Sequence, residues 1–203
     1  MPEALAIIAL PEPRHEGAMA VERALLRRRS VREFSKAALT LAEASQLLWA
    51  AQGITGEDGL RTAPSAGALY PLELYIAAGN VQQLAAGVYK YQPHGHRLTV
   101  IAQEDKRRKL AAAALNQNWM QNSAALLIFA GVERRITWKY GQRGIRYMHL
   151  EAGHAAQNVF LQALALGLSA AVVGAFDDER VQQVLQMPED ERALYLMPVG
   201  RQR

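Results

Sequence analysis

Between positions 27 and 32 the chain reads Arg-Arg-Arg-Ser-Val-Arg, four guanidiniums and one hydroxyl within six residues. Guanidinium forks match the oxygens of a phosphate monoester, so the stretch either grips an anion or ends a helix as a solvated basic terminus that complements the helix dipole. A second candidate is Pro64-Ser65-Ala66-Gly67. Its small side chains either let backbone N–H groups approach a planar or anionic group, or simply make a turn. The third, Gly174-Ala175-Phe176, follows an apolar run and either aims a backbone amide at a ligand atom or joins a strand to a helix. Metal chemistry has little to work with. His94 and His96 share a turn with no third ligand nearby and are expected to be exposed, and His149 and His154 are five apart, on different faces of a helix.

Composition sets the bounds. The chain has 203 residues, half of them hydrophobic and 21% charged, enough for one globular domain or one protomer of an intertwined dimer. Without a single cysteine it has no disulfide, no thiolate metal site and no cysteine nucleophile, so any redox chemistry must come from a cofactor. Its net charge is +4, but beyond positions 27–32 the basic residues fall in short groups, at 106–109 and the Arg134-Arg135 pair, with no continuous stripe interleaved with aromatics. That distribution argues against nucleic acid. The apolar run 4–10 is too short to span a bilayer and has no basic region before it, so no signal peptide, no membrane helix and a cytoplasmic protein are expected.

The elements that must hold these residues follow from periodicity and punctuation. Residues 1–17, with three prolines, read as an extended arm without a core of its own, either wrapped on a partner subunit or loose. A first helix runs from Met19 to about Arg28, and a second over 40–52 behind the Thr40/Glu43 capping box. A long glycine-bearing segment, 53–71, is read as functional. Strands follow at 72–78, 87–91 and 97–101, the last two as a hairpin, then a helix at 104–115 and a doubly buried strand at 123–130. After a polar helix at 133–143 comes the longest helical pattern, 147–168, apolar nearly all round from Val159 and therefore in need of cover on every side. A second subunit is an economical cover. Gly167 ends that helix, and a strand at 169–173, a helix at 178–185 and a final strand at 193–199 complete an α+β chain with a mixed sheet and no boundary within residues 18–203.

Taken in order, these segments resemble the nitroreductase family of flavin enzymes. The resemblance is carried by residues 28–34 (Arg-Arg-Ser-Val-Arg-Glu-Phe), 64–71 (Pro-Ser-Ala-Gly-Ala-Leu-Tyr-Pro), 153–168, 174–179 and 198–201, and it spans nearly everything from Ala18 onward. Within the family the chain resembles the SagB-like branch, whose members oxidise thiazolines and oxazolines in modified peptides. The resemblance implies a mainly antiparallel sheet surrounded by helices, a long buried central helix, and FMN held without covalent attachment at the interface of an intertwined homodimer. It implies phosphate and ribityl contacts from Arg28, Arg29, Ser30 and Arg32, with Arg201 as a second phosphate partner. Pro64, Ser65, Ala66 and Gly67 would meet the flavin ring from the other subunit, and Gly174 and Ala175 would face N5. Asn116 and Gln117 fall where the family places an amide at the pyrimidine edge, although a helix cap or plain surface would also account for them. Lys139-Tyr140 resembles the acid/base pair of the azoline-oxidising branch, and otherwise reads as a surface lysine beside an amphipathic tyrosine. The implied activity is hydride transfer through flavin N5 between NAD(P)H and a nitroaromatic or quinone-like acceptor. An azoline dehydrogenase and a non-catalytic flavin-binding protein are the alternatives.

Overall fold

A computed structural model describes residues 6–203. Seven strands, β1 (Ile7–Ala9), β2 (Leu72–Ala78), β3 (Gly87–Gln92), β4 (Arg97–Ala102), β5 (Ala125–Gly131), β6 (Ser169–Ala170) and β7 (Arg192–Gly200), form one sheet in the order β1-β4-β3-β2-β5-β7-β6. Every strand pair in it is antiparallel, and parallel pairing survives only in the isolated bridges Ser30–Ala170 and Leu39–Val81. Around the sheet lie the helices α1 (Val21–Arg27), α2 (Leu41–Gln52), α3 (Arg107–Ala113), α4 (Arg134–Tyr140), α5 (Arg143–Ala165) and α6 (Asp178–Leu185).

The core lies on both faces of the central strands. In β2 and β5 the side chains alternate, as strand geometry requires. Leu74, Ile76, Leu127 and Phe129 face α2 and α5, while Tyr75, Leu126 and Ile128 face α3 and α6. This explains why β5 reads as an unbroken apolar run: both faces are covered.

Local signals hold where they were strongest. The Thr40 hydroxyl accepts from Glu43 N–H at 3.1 Å, and the Glu43 carboxylate accepts from Thr40 N–H at 2.8 Å, closing the capping box of α2. Gly167, at φ +70°, ends α5 with Leu168 N–H donating back to Ala163.

Three expectations change. Residues 1–5 of the arm lie outside the described residues, but residues 7–9 pair with β4 of the same chain and Leu10 joins the main core, so this part is neither coreless nor loose. The strand expected at 169–173 shortens to two residues, with Val173 bridging Leu196 alone. α5 starts four residues earlier than its apolar pattern and is buried along one face only. Met148, Ala152, Ala155, Val159 and Ala163 pack inward, while Leu150 is exposed and Phe160, Leu161 and Leu164 are half-buried. One chain does not enclose this helix. Among the described residues no helix is long and apolar enough to cross a membrane.

Candidate functional site

α1 stops at Arg27 because Arg28 turns to extended geometry, φ −55° and ψ 125°. The chain then runs beside β6, where Ser30 bridges Ala170 and Val31 N–H donates to the Ala170 carbonyl at 3.0 Å. Between this strip and α5 lies a cleft of about 250 Å³ walled by Arg27, Arg28, Arg29, Phe160, Ser169 and Gln202. The Arg28 guanidinium lies 5.1 Å over the Phe160 ring, and Arg29 is propped by the carbonyls of Leu26 and Arg28. No carboxylate pairs with these three arginines among the described residues. Such a donor set is made for an anion with several oxygens.

Two other expected phosphate contacts point elsewhere. Arg32 stacks over Trp119, 5.8 Å from the ring centroid, and is not among the residues that wall the cleft. Arg201 pairs with Glu43 at 2.8 Å, a carboxylate already engaged in capping α2. Arg27, the first guanidinium of the basic stretch, does line the cleft, as does Gln202, which no motif in the sequence points to.

The amide segment and the Gly174 turn do come together. Leu115 and Asn116 both take the left-handed region, which swings the chain past the end of α3. Gln117 then donates from its side chain to the Ala175 carbonyl at 3.3 Å, and Asp177 N–H donates to Ala113 at 2.9 Å. Asn116, Gly174 and Ala175 are exposed, so Gln117 is the amide with a structural tie to this turn.

A second cluster forms on residues 61–70. Gly67 adopts φ +63°, and a Cβ placed there would stand 2.7 Å from the Tyr140 hydroxyl and 2.9 Å from Lys139 Nζ. The end of α4 therefore lies directly against the Pro64–Gly67 turn. Lys139 is exposed and its ammonium faces the Tyr140 ring at 5.4 Å, while the half-buried Tyr140 meets Tyr147 edge-on at 5.2 Å. No hydrogen bond, ion pair or ring contact among the described residues joins this cluster to the arginine cleft.

Next to the Ser65 hydroxyl of this turn sits Glu151, 2% exposed on the inward face of α5, with no hydrogen-bond partner for either oxygen among the described residues. Burial pushes its pKa up to about 7, opposed by the neighbouring Ser65 hydroxyl and the Arg61 charge. Sequence reasoning missed it, although a carboxylate sharing a helix face with Met148, Ala152 and Ala155 was a visible anomaly. His96 also differs from expectation. Its ring lies 2.6 Å from Ser45 Oγ and 2.8 Å from the Tyr91 hydroxyl, fixing the hairpin turn to α2, while His94 is exposed. No group of three or more metal-ligating side chains occurs among the described residues.

The chain as a whole is similar to several known proteins. A family model described as the Nitroreductase family matches residues 25–201. A protein of Methanocaldococcus jannaschii named as a nitroreductase is 47% identical over 181 residues, covering 89% of this chain and 90% of that one. A crystal structure from Ralstonia eutropha, also described as a nitroreductase, superposes with a TM-score of 0.84 at 28% identity, covering 97% and 90% of the two chains. The microcin B17-processing protein McbC of Escherichia coli is 28% identical over 136 residues, 64% of this chain but only 49% of that protein.

Proposed function

The chain belongs to the nitroreductase family, and on that premise we propose that it is an FMN-dependent oxidoreductase passing hydride between NAD(P)H and a small nitroaromatic or quinone-like acceptor. FMN, when bound, supplies the carrier that accepts and returns hydride at N5. The observation that carries the reading is the arginine cleft: three guanidiniums without carboxylate partners among the described residues, beside the aromatic face of Phe160. That donor set fits a phosphate monoester. Arg28 and Arg29 would hold the phosphate with Ser30 beside them. Gln117 offers its amide, and the Gly174-Ala175 turn its backbone, to a ring. Pro64 to Gly67, with Ser65 and Ala66 between them, would close over that ring from a second copy of the chain, which makes the working unit a homodimer. A cytoplasmic site of action belongs to the same reading.

The test is direct. Purified protein should bind FMN, show its visible absorption, and bleach with NADH or NADPH before a nitroarene or quinone restores the colour. Arg28→Ala with Arg29→Ala should weaken FMN binding by about a hundredfold, from two lost charge-assisted contacts. Arg32→Ala should cost less than tenfold, because that guanidinium is turned toward Trp119. Protein that stays colourless with excess FMN would end the proposal, and bound flavin that neither nicotinamide bleaches would leave a binding protein.

Two observations favour a second reading, the SagB-like dehydrogenase. Lys139 and Tyr140 lie against Gly67, and one relative is named as a microcin B17-processing protein. In that role Lys139 Nζ or Tyr140 Oη would take the proton of an azoline ring while the turn holds the ring in place. Lys139→Ala should then abolish azoline oxidation with FMN still bound; retained oxidation would remove the lysine from the mechanism.

A further inference from the structure

A buried polar group without a partner calls for a reason, because its desolvation is not repaid. Glu151 is the strongest instance among the described residues: nearly fully buried, with neither carboxyl oxygen partnered by any of them. Met148, Ala152 and Ala155 beside it show that an apolar residue would satisfy the packing. The segment next to it is unusually well tied. Arg61 N–H donates to the Tyr70 hydroxyl at 3.1 Å, Tyr70 N–H donates to Ser65 Oγ at 2.9 Å, and the Arg61 guanidinium stacks 4.4 Å over the Tyr70 ring while donating to Gln52 Oε1 at 2.8 Å. Ser65 therefore spends one lone pair on Tyr70 and keeps its own hydrogen to give. Ser65 is the hydroxyl that acts on the Glu151 carboxyl, although no hydrogen bond is formed between them among the described residues.

We propose that Glu151 is a positioning residue that acts through Ser65, its proton deciding whether the Ser65 hydroxyl turns inward or toward a ligand held over the Pro64–Gly67 turn. An ionised Glu151 accepts the Ser65 hydrogen and draws the hydroxyl inward. A protonated Glu151 donates to the remaining Ser65 lone pair, and the Ser65 hydrogen is released toward an acceptor atom of the ligand. The proposal rests on the reading of this turn as flavin-facing. Other charges around the carboxyl do not replace this control. Arg61 attracts the anion, but its guanidinium is also drawn by Glu73 and opposed by Arg135, and Tyr70 covers it. On the far side of the turn stand Lys139 and Tyr140 from α4, with Tyr147 of α5 behind them. The Glu151 pKa, pushed up by burial to about 7, places the change within the working range of an ordinary enzyme.

The test compares wild type, Glu151→Gln and Ser65→Ala in two measurements. Thermal unfolding of the flavin-free proteins reports the carboxyl itself. Its folded pKa lies above the ordinary value, so the stability of the neutral form is complete below about pH 4.5 and is lost as pH rises through about 7. Glu151→Gln should thus melt several degrees above wild type at pH 8 and level with it at pH 4. FMN titration by fluorescence quenching reports the control. Wild-type affinity should fall about tenfold more between pH 6 and pH 8 than that of either variant, the scale of one hydrogen bond. The glutamine variant should match the tighter, low-pH affinity, because its amide can donate permanently. Wild type and Glu151→Gln with the same FMN pH profile would overturn the positioning role alone, as would a Ser65→Ala profile identical to wild type should the glutamine variant fail to fold. Wild type that binds no FMN at any pH would overturn the reading of the turn and this role with it.

Discussion

Gly67 shows how much a single residue settles here. Its φ of +63° lies in the left-handed region that side chains resist, and its missing Cβ leaves room for Tyr140 Oη and Lys139 Nζ. Gly67→Ala should lower stability by about 1–2 kcal/mol through backbone strain, measurable by urea unfolding. It should also displace the end of α4, so turnover should fall further than FMN affinity. Equal losses in both would mean that Lys139 and Tyr140 have no part beyond holding the turn. The same scale explains why Arg32 and Arg28 differ despite lying four positions apart. Arg28 leaves the helix toward Phe160, whereas Arg32 follows the strand-like strip to Trp119.

At the scale of elements, α2 carries an unusual share of the connections. Its first turn is capped by Thr40 and Glu43, and the same Glu43 holds Arg201 from the end of β7. Its middle carries Ser45, which donates to the Pro11 carbonyl at 2.5 Å and meets His96 of the hairpin. Its last residue, Gln52, accepts from Arg61. Thr40→Ala should cost about 1 kcal/mol, the ordinary worth of an N-cap, and should leave FMN binding within twofold. A larger effect on binding would mean that the cap also sets Arg201 at the site.

At the scale of the whole molecule, one chain leaves a side of α5 uncovered. Its inward face seals the sheet, yet Leu150 is 55% exposed, and Leu25 and Leu26 of α1 are 55% and 75% exposed. These leucines are the apolar surface that the proposed homodimer would cover. The proposed homodimer makes a definite prediction. Leu150→Asp combined with Leu161→Asp should halve the sedimenting mass and abolish FMN binding together, because the arginine cleft and the Pro64–Gly67 turn would come from different subunits. A monomeric wild type that binds FMN fully would break that link.

The amino-acid order alone determined what depends on short-range physics. The capping box of α2, the Gly167 stop, the hairpin, the doubly buried β5 and the clustering of arginines after α1 all follow from a few neighbouring residues, and the motifs in their order were enough to indicate the family. Tertiary structure decided the rest. It put Ile7–Ala9 on the sheet edge through pairing with a strand ninety positions away, sent Arg32 and Arg201 to partners of their own, and brought Gln117 to Ala175 and Gly67 to Tyr140. It also left Glu151 buried next to Ser65, with no partner for its carboxyl among the described residues. Such outcomes depend on which distant surfaces meet, and no local periodicity encodes where a long side chain finds its partner or whether a carboxyl is shut away from water.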